Sequence, residues 1–397
     1  MRAVTWQDVN DVRVETVPDP RIEQPTDAII SVTSSGICGS DLHLAGPMGR
    51  YMCRGDILGH EAIGIVEELG PEVTRLSVGD RVVVPFNIAC GDCGYCRTGL
   101  TSQCSTTRVR GQGTGAAQFG YSALYGQVPG AQAEYLRVPQ AQFGPVVLPH
   151  DNEPDQRYLF LSDILPTAWQ AVIYAEVPPC GSVAVWGLGP VGQLCTRIAW
   201  QLGADQVFGI DRVPERLAMA RRHGIHVIDT RKVSDVTEAL RELTGGEGPD
   251  AVIDAVGMEA HGAPPAVLLH RSAGAGGASA EVVESSRDRV AALHQSIDAV
   301  RRGGTVSVAG VYAGPFDPLP MLQLFDKQLT MRFGQANVRQ WVDEIMPMLN
   351  ADDPLGVMDL VTHRLPLESA SEAYWMFQQK RDRCIKVILE PGRPAAV

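Results

Sequence analysis

Four cysteines, Cys90, Cys93, Cys96 and Cys104, stand in a C-x2-C-x2-C-x7-C run with glycines at 91, 94 and 99. Four thiolates this close in sequence suit tetrahedral zinc. All-cysteine sites of that kind are structural, because they leave no coordination position for a substrate. The glycines let the backbone curl around the ion. A second chemically loaded stretch follows the apolar run 182–186 and reads Gly187-Leu188-Gly189-Pro190-Val191-Gly192. A G-x-G-x-x-G directly after a strand and opening a helix is a dinucleotide-binding turn. Gly187 makes the tight turn, Gly189 lets a pyrophosphate approach the backbone, and Gly192 allows close helix–strand packing. Pro190 and Val191 begin the helix whose N-terminus faces the phosphates. Asp211 ends the next strand, where a carboxylate bonds ribose hydroxyls and repels a 2′-phosphate, so NAD is favoured over NADP. Arg212 and Arg216 pull the other way, since an arginine there tolerates a phosphate.

Two more stretches, Ser35-Gly36-Ile37-Cys38-Gly39-Ser40-Asp41-Leu42-His43 and Gly59-His60-Glu61, carry possible metal and proton-transfer groups. Taken with the cysteine lobe, they resemble the zinc-dependent medium-chain alcohol dehydrogenases, over essentially the whole chain. The resemblance implies that Cys38 and His60 are ligands of a catalytic zinc. Many members supply a second cysteine as third ligand before the cofactor domain. Here Leu161-Ser162-Asp163-Ile164-Leu165-Pro166-Thr167 places Asp163 at that point, and it resembles the glutathione-independent formaldehyde dehydrogenase branch. A Cys/His/Asp set is sound chemistry for zinc. The competing reading of Asp163 is a helix N-cap.

By the same resemblance, Asp41 holds the free nitrogen of His60, and Glu61 lies behind the metal as an alternate ligand. Ser40 and His43 form the proton relay. Thr167, Val256, Gly310 and Val311 line the nicotinamide site. Phe86, Trp169, Met48 and Tyr51 are the candidates for the substrate pocket. Ala168 and Trp169 depart from the branch's usual glycine and aromatic pair and reshape that pocket. The implied activity is hydride transfer between an alcohol or aldehyde, formaldehyde hydrate included, and NAD, with two zinc ions per chain. The alternatives are a broader alcohol dehydrogenase or carbonyl reductase on a larger substrate, and a formaldehyde dismutase that retains its cofactor. A zinc-free reductase of the same fold would lack Cys38, His60 and the cysteine lobe.

These residues need two kinds of scaffold. Residues 1–165 are rich in short valine, glycine and proline runs, with strand patterns at 28–33, 61–69 and 81–85 and a hairpin over 1–17. From 166 the pattern alternates helix and strand: helix 167–174, strand 182–186, helix 191–202, strand 206–210, helix 214–223, strand 226–229, then strands at 251–255 and 305–309. That alternation predicts a parallel sheet covered on both faces. The expected fold class is α/β. A GroES-like β-rich catalytic domain (1–165, rejoined by 336–397) accompanies a Rossmann doubly wound cofactor domain (166–335), with the active site in the cleft between them. At 397 residues, two domains are the natural division. An Ala/Gly/Ser-rich segment over 258–284 is read as an insertion that slows NAD exchange.

The formal charge of −12 and the lack of a basic patch exclude a nucleic-acid binder. No apolar run is long enough for a membrane helix. Nine cysteines, four of them clustered, without an export signal, point to a reducing, cytoplasmic setting. The family precedent is a homo-oligomer, tetramer or dimer.

Overall fold

Valine- and isoleucine-rich runs bounded by glycine and asparagine turns set the strands of the first half. In the computed structural model, which describes residues 1–151, 153–259, 290–312 and 319–393, the chain divides into two compact units. One is Met1–Pro166 with Ala336–Val397, the other Thr167–Gln335. The first opens with a hairpin of β1 (Arg2–Asp8) and β2 (Asp11–Thr16), turned at Asn10 with φ of 60°. Asparagine tolerates that left-handed conformation better than other side-chain-bearing residues. Then come β3 (Ala28–Ile37), β4 (Glu61–Leu69), β5 (Arg81–Val84), β6 (Tyr135–Val138) and β7 (Val146–Val147).

In the second unit the strands are β8 (Ser182–Trp186), β9 (Gln206–Asp211), β10 (His226–Asp229), β11 (Ala251–Asp254), β12 (Thr305–Val308) and β13 (Thr330–Phe333). They form one parallel sheet in the order β10-β9-β8-β11-β12-β13. Counted from β8, that is the 3-2-1-4-5-6 order of a doubly wound dinucleotide fold, with the reversal between β8 and β11. The apolar faces of Ala184, Phe208, Val252 and Val306 bury against Leu240, Leu293 and Ile297 from helices Val236–Leu243 and Ala291–Ala299.

The chain returns to the first unit with β14 (His363–Pro366) and β15 (Val387–Glu390). Its main sheet runs β14-β15-β3-β4-β5-β7, with β6 also paired to β3. The long strand β3 is shared: its first half pairs with β6, while Ser35, Gly36 and Ile37 pair with β15 on one side, and Ser35 and Gly36 with Ala62 and Glu61 of β4 on the other. Those are the residues on which the candidate site is built.

Two details differ from the sequence expectation. The helix placed at 167–174 spans Ile164–Ala175, Pro166 being tolerated in its first turn, where the backbone N–H has no intrahelical partner. Helix Val236–Leu243 and strand β13 carry no distinctive motif and were not singled out. β13 is four residues long and mostly exposed, so no buried alternation marks it. The alanine-rich insertion lies, from residue 260 to 289, outside the described residues.

Close packing in the glycine turn of the second unit is testable. A Cβ on Gly192 would stand 1.7 Å from the Gly187 carbonyl oxygen, whereas one on Gly189 would meet nothing nearer than 3.8 Å. Gly192→Ala should cost about 1–3 kcal/mol of stability through overpacking. Gly189→Ala should cost under about 1 kcal/mol, the price of changing an N-cap glycine. Thermal or urea unfolding of the two variants checks the contrast.

Candidate metal centre

Cys38 ends β3's extension and begins helix Gly39–Ala45 as its N-cap. Its own backbone N–H donates to Asp41 Oδ2 at 2.9 Å, so the turn that presents Sγ is locked from within the helix. The three-residue spacing from Ser40 to His43 puts both on one face of that helix. His60 follows Gly59, whose φ is +93° and whose missing Cβ leaves room for Gln132; a Cβ there would lie 2.4 Å from Gln132 Cγ. Asp163 sits between a short 3₁₀ turn, Phe160–Ser162, and helix Ile164–Ala175.

These elements bring Cys38, His60, Glu61 and Asp163 together, with one possible ligand atom of each within 4.8 Å of the others. Asp163 Oδ2 lies 3.1 Å from His60 Nε2 and 3.3 Å from Cys38 Sγ. Its carboxylate is thus turned onto the other two candidate ligands, whatever it contributes to the helix start. Ser40 Oγ is 3.3 Å from the same Nε2. On the far side of the ring, His60 Nδ1 stands 3.1 Å from Asp41 Oδ1. The donor set of one thiolate, one imidazole and one carboxylate fits zinc. It also leaves a buried cluster short of positive charge, which a divalent ion would balance.

Electrostatics agree with a site that holds protons until a cation arrives. Burial works against charging His60, yet the Asp41 and Asp163 carboxylates outweigh it and raise its pKa well above the usual value. Desolvation, with Asp163 beside it, pushes the Cys38 thiol up. Behind the ligands Glu61 and Lys386 form a fully buried pair, Oε1 to Nζ 2.5 Å. Lys386 Nζ also donates to the Ile37 carbonyl at 2.9 Å and sits 5.7 Å from the Phe160 ring centre. Burial opposes its charge, but Glu61 outweighs that and keeps the ammonium raised. Gly36 makes the arrangement possible, because a Cβ there would stand 2.1 Å from Glu61 Oε2.

Lys386, Gln132 and Tyr121 were missed by sequence reasoning. The Tyr121 ring lies 5.3 Å from the imidazole, its hydroxyl bonds with Ser40, and burial raises its pKa. No sequence signal marks Tyr121, which stands 61 residues from His60 in the chain. Phe86 does approach, edge-on to the imidazole with ring centres 6.2 Å apart. Met48 packs against an apolar core cluster that Tyr121 also meets, and Tyr51 pairs with the Arg50 guanidinium. In the second unit, Trp169 is buried and Ala168 fully so, with Thr167 just before them.

In the cysteine lobe, Cys90, Cys93, Cys96 and Cys104 form a second group of metal-binding type. Their sulfurs accept from backbone and hydroxyl donors: Cys93 N to Cys90 Sγ and Cys90 N to Cys104 Sγ at 3.4 Å, Thr106 Oγ1 to Cys90 Sγ at 3.2 Å. Burial raises Cys93, but Ser105 and neighbouring N–H groups overcome it and bring it to about 5. Cys96 is pushed up by burial. Gly91 and Gly99 adopt positive φ, and Gly91 passes under the Phe143 ring; Gly94 instead simply opens a short helix.

At the glycine turn, Gly187 has φ of +84° and Gly192 packs on its carbonyl. Asp211 Oδ2 accepts from Leu188 N at 2.7 Å, and Oδ1 from Arg212 N and Val213 N at 2.6 and 2.8 Å. Arg216 stands 3.8 Å from Asp211 Oδ2. Val256, Gly310 and Val311 gather at the ends of β11 and β12, where Gly257 and Gly310 come too close for any side chain.

A β-rich unit with a thiolate–imidazole–carboxylate cluster and a cysteine lobe, joined in one chain to a doubly wound sheet, defines a zinc-type dehydrogenase. Residues 24–149 match the family model described as alcohol dehydrogenase GroES-like domain, and 190–275 match zinc-binding dehydrogenase. The zinc-type alcohol dehydrogenase-like protein AdhB of Bacillus subtilis is 39% identical over 98% of this chain and 100% of its own length. A formaldehyde dismutase of Pseudomonas putida is 34% identical over 81% of this chain and 77% of its own. The solved alcohol dehydrogenase TADH from Thermus sp. ATN1 superposes with a TM-score of 0.81 at 37% identity, covering 98% of this chain and 99% of that one. The chain belongs to the zinc-type medium-chain alcohol dehydrogenase family, a family of oxidoreductases. Among the described residues no helix is long and apolar enough to cross a membrane.

Two predictions follow from the buried charges. Lys386→Met strands a buried carboxylate and should cost about 3–5 kcal/mol. Adding Glu61→Gln should recover much of that, as read by urea unfolding in a double-mutant cycle. Separately, His60 and Cys38 hold protons in the metal-free protein that a metal must expel. Zinc affinity at this site should therefore fall as pH is lowered, which competition with a chromophoric chelator across pH will measure.

Proposed function

We propose that this protein is an NAD-linked dehydrogenase of small alcohols and aldehydes, formaldehyde hydrate included, with one catalytic and one structural zinc per chain. The observation that carries the reading is Asp163 Oδ2 placed against both His60 Nε2 and Cys38 Sγ. Asp163 stands where many members carry cysteine, and the resemblance to the formaldehyde dehydrogenase branch began with that residue.

Cys38, His60 and Asp163 would hold the catalytic zinc and Cys90, Cys93, Cys96 and Cys104 the structural one. A zinc with an open position lowers the pKa of a bound hydroxyl toward neutrality and polarises a carbonyl, while a nicotinamide carries the hydride. The chain's own groups do the rest. Ser40 Oγ, within reach of the ligand cluster, accepts the substrate's hydroxyl proton as it gives up its own toward solvent. His43, on the same helix face, passes it to solvent. Phe86 and Tyr121 wall the imidazole with aromatic surface and restrict water. Glu61 stays tied to Lys386 behind the ligands and can serve as an alternate one only by leaving that pair.

In the cofactor unit, Gly187, Gly189, Pro190, Val191 and Gly192 would receive the pyrophosphate. The open space over Gly189 suits that role. Asp211 would take the adenosine ribose and favour NAD, with Arg212 and Arg216 flanking it. Thr167, Val256, Gly310 and Val311 would meet the nicotinamide. A homo-oligomer is supported by β13, an edge strand among the described residues, and by Met321, Leu322 and Phe325, which lie exposed on the helix just before it. The clustered free cysteines suit a reducing cytoplasm.

Carbon-13 NMR of labelled formaldehyde with zinc-loaded protein and NAD tests the reading. Formate is expected, and equal methanol beside it would identify dismutation. No product from fully zinc-loaded protein would overturn the formaldehyde assignment and leave larger alcohols and aldehydes. Asp163→Ala should lower bound zinc from two to one per chain and reduce kcat/KM at least 100-fold, checked by metal analysis and steady-state rates.

A further inference from the structure

Behind His60 lies a chain of buried polar side chains that no step above uses. Asp41 is fully buried. Its Oδ2 accepts twice, from Cys38 N at 2.9 Å and from Gln132 Nε2 at 3.1 Å, which leaves Oδ1 facing the imidazole Nδ1. Gln132 is itself fully buried and also donates to the Gly36 carbonyl at 3.2 Å. A carboxylate and a carbonyl can only accept, so both demand the amide's NH₂ end. The Gln132 carbonyl must therefore face the other way, where the Tyr374 hydroxyl donates to it at 2.8 Å. Tyr374 comes from helix Ala370–Gln379, 242 residues along the chain, and is 5% exposed.

The surroundings are arranged around the amide. Gly59, directly before His60, admits the Gln132 side chain, and the Tyr374 ring packs in an apolar cluster with Ile37, Leu42 and Val387. An aliphatic residue at 132 would suit that cluster by packing alone. A buried glutamine with its donors and acceptor all engaged makes sense if the orientation of Asp41 matters. We propose that Gln132 and Tyr374 are positioning residues for the His60 imidazole, acting through Asp41, so that Nε2 is presented to the metal in one orientation. This rests on Cys38, His60 and Asp163 being the catalytic metal site. Groups that orient a ligand's partner commonly change metal affinity 10–100-fold when removed.

The test compares Gln132→Leu, Tyr374→Phe and the double variant, each as the full zinc-loaded protein. Zinc release to a chelator is followed, with the cysteine lobe as internal reference. The cobalt(II)-substituted protein gives a second readout, using the absorption bands that Cys38→Ala abolishes. Gln132→Leu should weaken zinc about 10–100-fold at this site alone and shift those bands. Tyr374→Phe should do so by a few-fold, and the double variant should be no worse than Gln132→Leu. Unchanged affinity and bands, with only a lower or additive thermal midpoint, would overturn the proposal and make both residues packing elements. If Gln132→Leu does not fold, Tyr374→Phe decides alone: shifted bands support the proposal and unshifted ones overturn it. A wild-type protein that takes up zinc only in its cysteine lobe would overturn the site assignment itself, and this inference with it.

Discussion

Negative charge concentrated in a dry place is the constraint on which the first unit is built. Asp41 and Glu61 are fully buried and Asp163 is 9% exposed; Glu61 and Asp163 lie beside the Cys38 thiol and Asp41 behind the His60 ring. Burying unpaired carboxylates is costly, and only pairing or a cation makes it tolerable. Lys386 supplies one positive charge from the residue preceding β15, and the imidazole supplies another when protonated. The ligand cluster and its backing charges make sense together, since either alone would leave uncompensated charge in the core.

The cysteine lobe solves a similar problem differently. Its sulfurs are gathered from one short stretch of chain and receive N–H and O–H donors from their own neighbours. Local turns thus stabilise thiolates without distant partners. At the buried centre, donors such as Gln132 and Lys386 come from distant parts of the chain, and glycines make room for the groups they meet. Gly36 clears the Glu61 carboxylate, Gly59 clears Gln132, and Gly120 and Gly130 let their segments approach the backbone at Leu58 and Gly59.

That contrast explains what was legible from residues alone. The cysteine run, the glycine turn before helix Pro190–Gln201 and the strand-helix alternation are local patterns with local causes, and they gave the fold class and the sites' outlines. Cys38, His60 and Asp163 were reachable because each sits in a short signature. Lys386 is a lone lysine in an apolar run, and its meaning depends on Glu61, 325 positions away. Gln132 and Tyr374 have no signature at all; only the sheet and the C-terminal helix bring them behind His60. Tyr121 likewise needs the fold to bring it beside the imidazole.

The first unit is discontinuous in sequence, and this bears on how the protein is made. Cys38, His60 and Asp163 are all synthesised before the second unit, yet β15 and Lys386 follow only after it. Until then β3 lacks one of its neighbours and Glu61 its counter-charge. Domains tend to fold as they emerge. The second unit, though later to start, is the first whose residues are all synthesised. The first unit waits for β15, with Cys38, His60 and Asp163 made long before it.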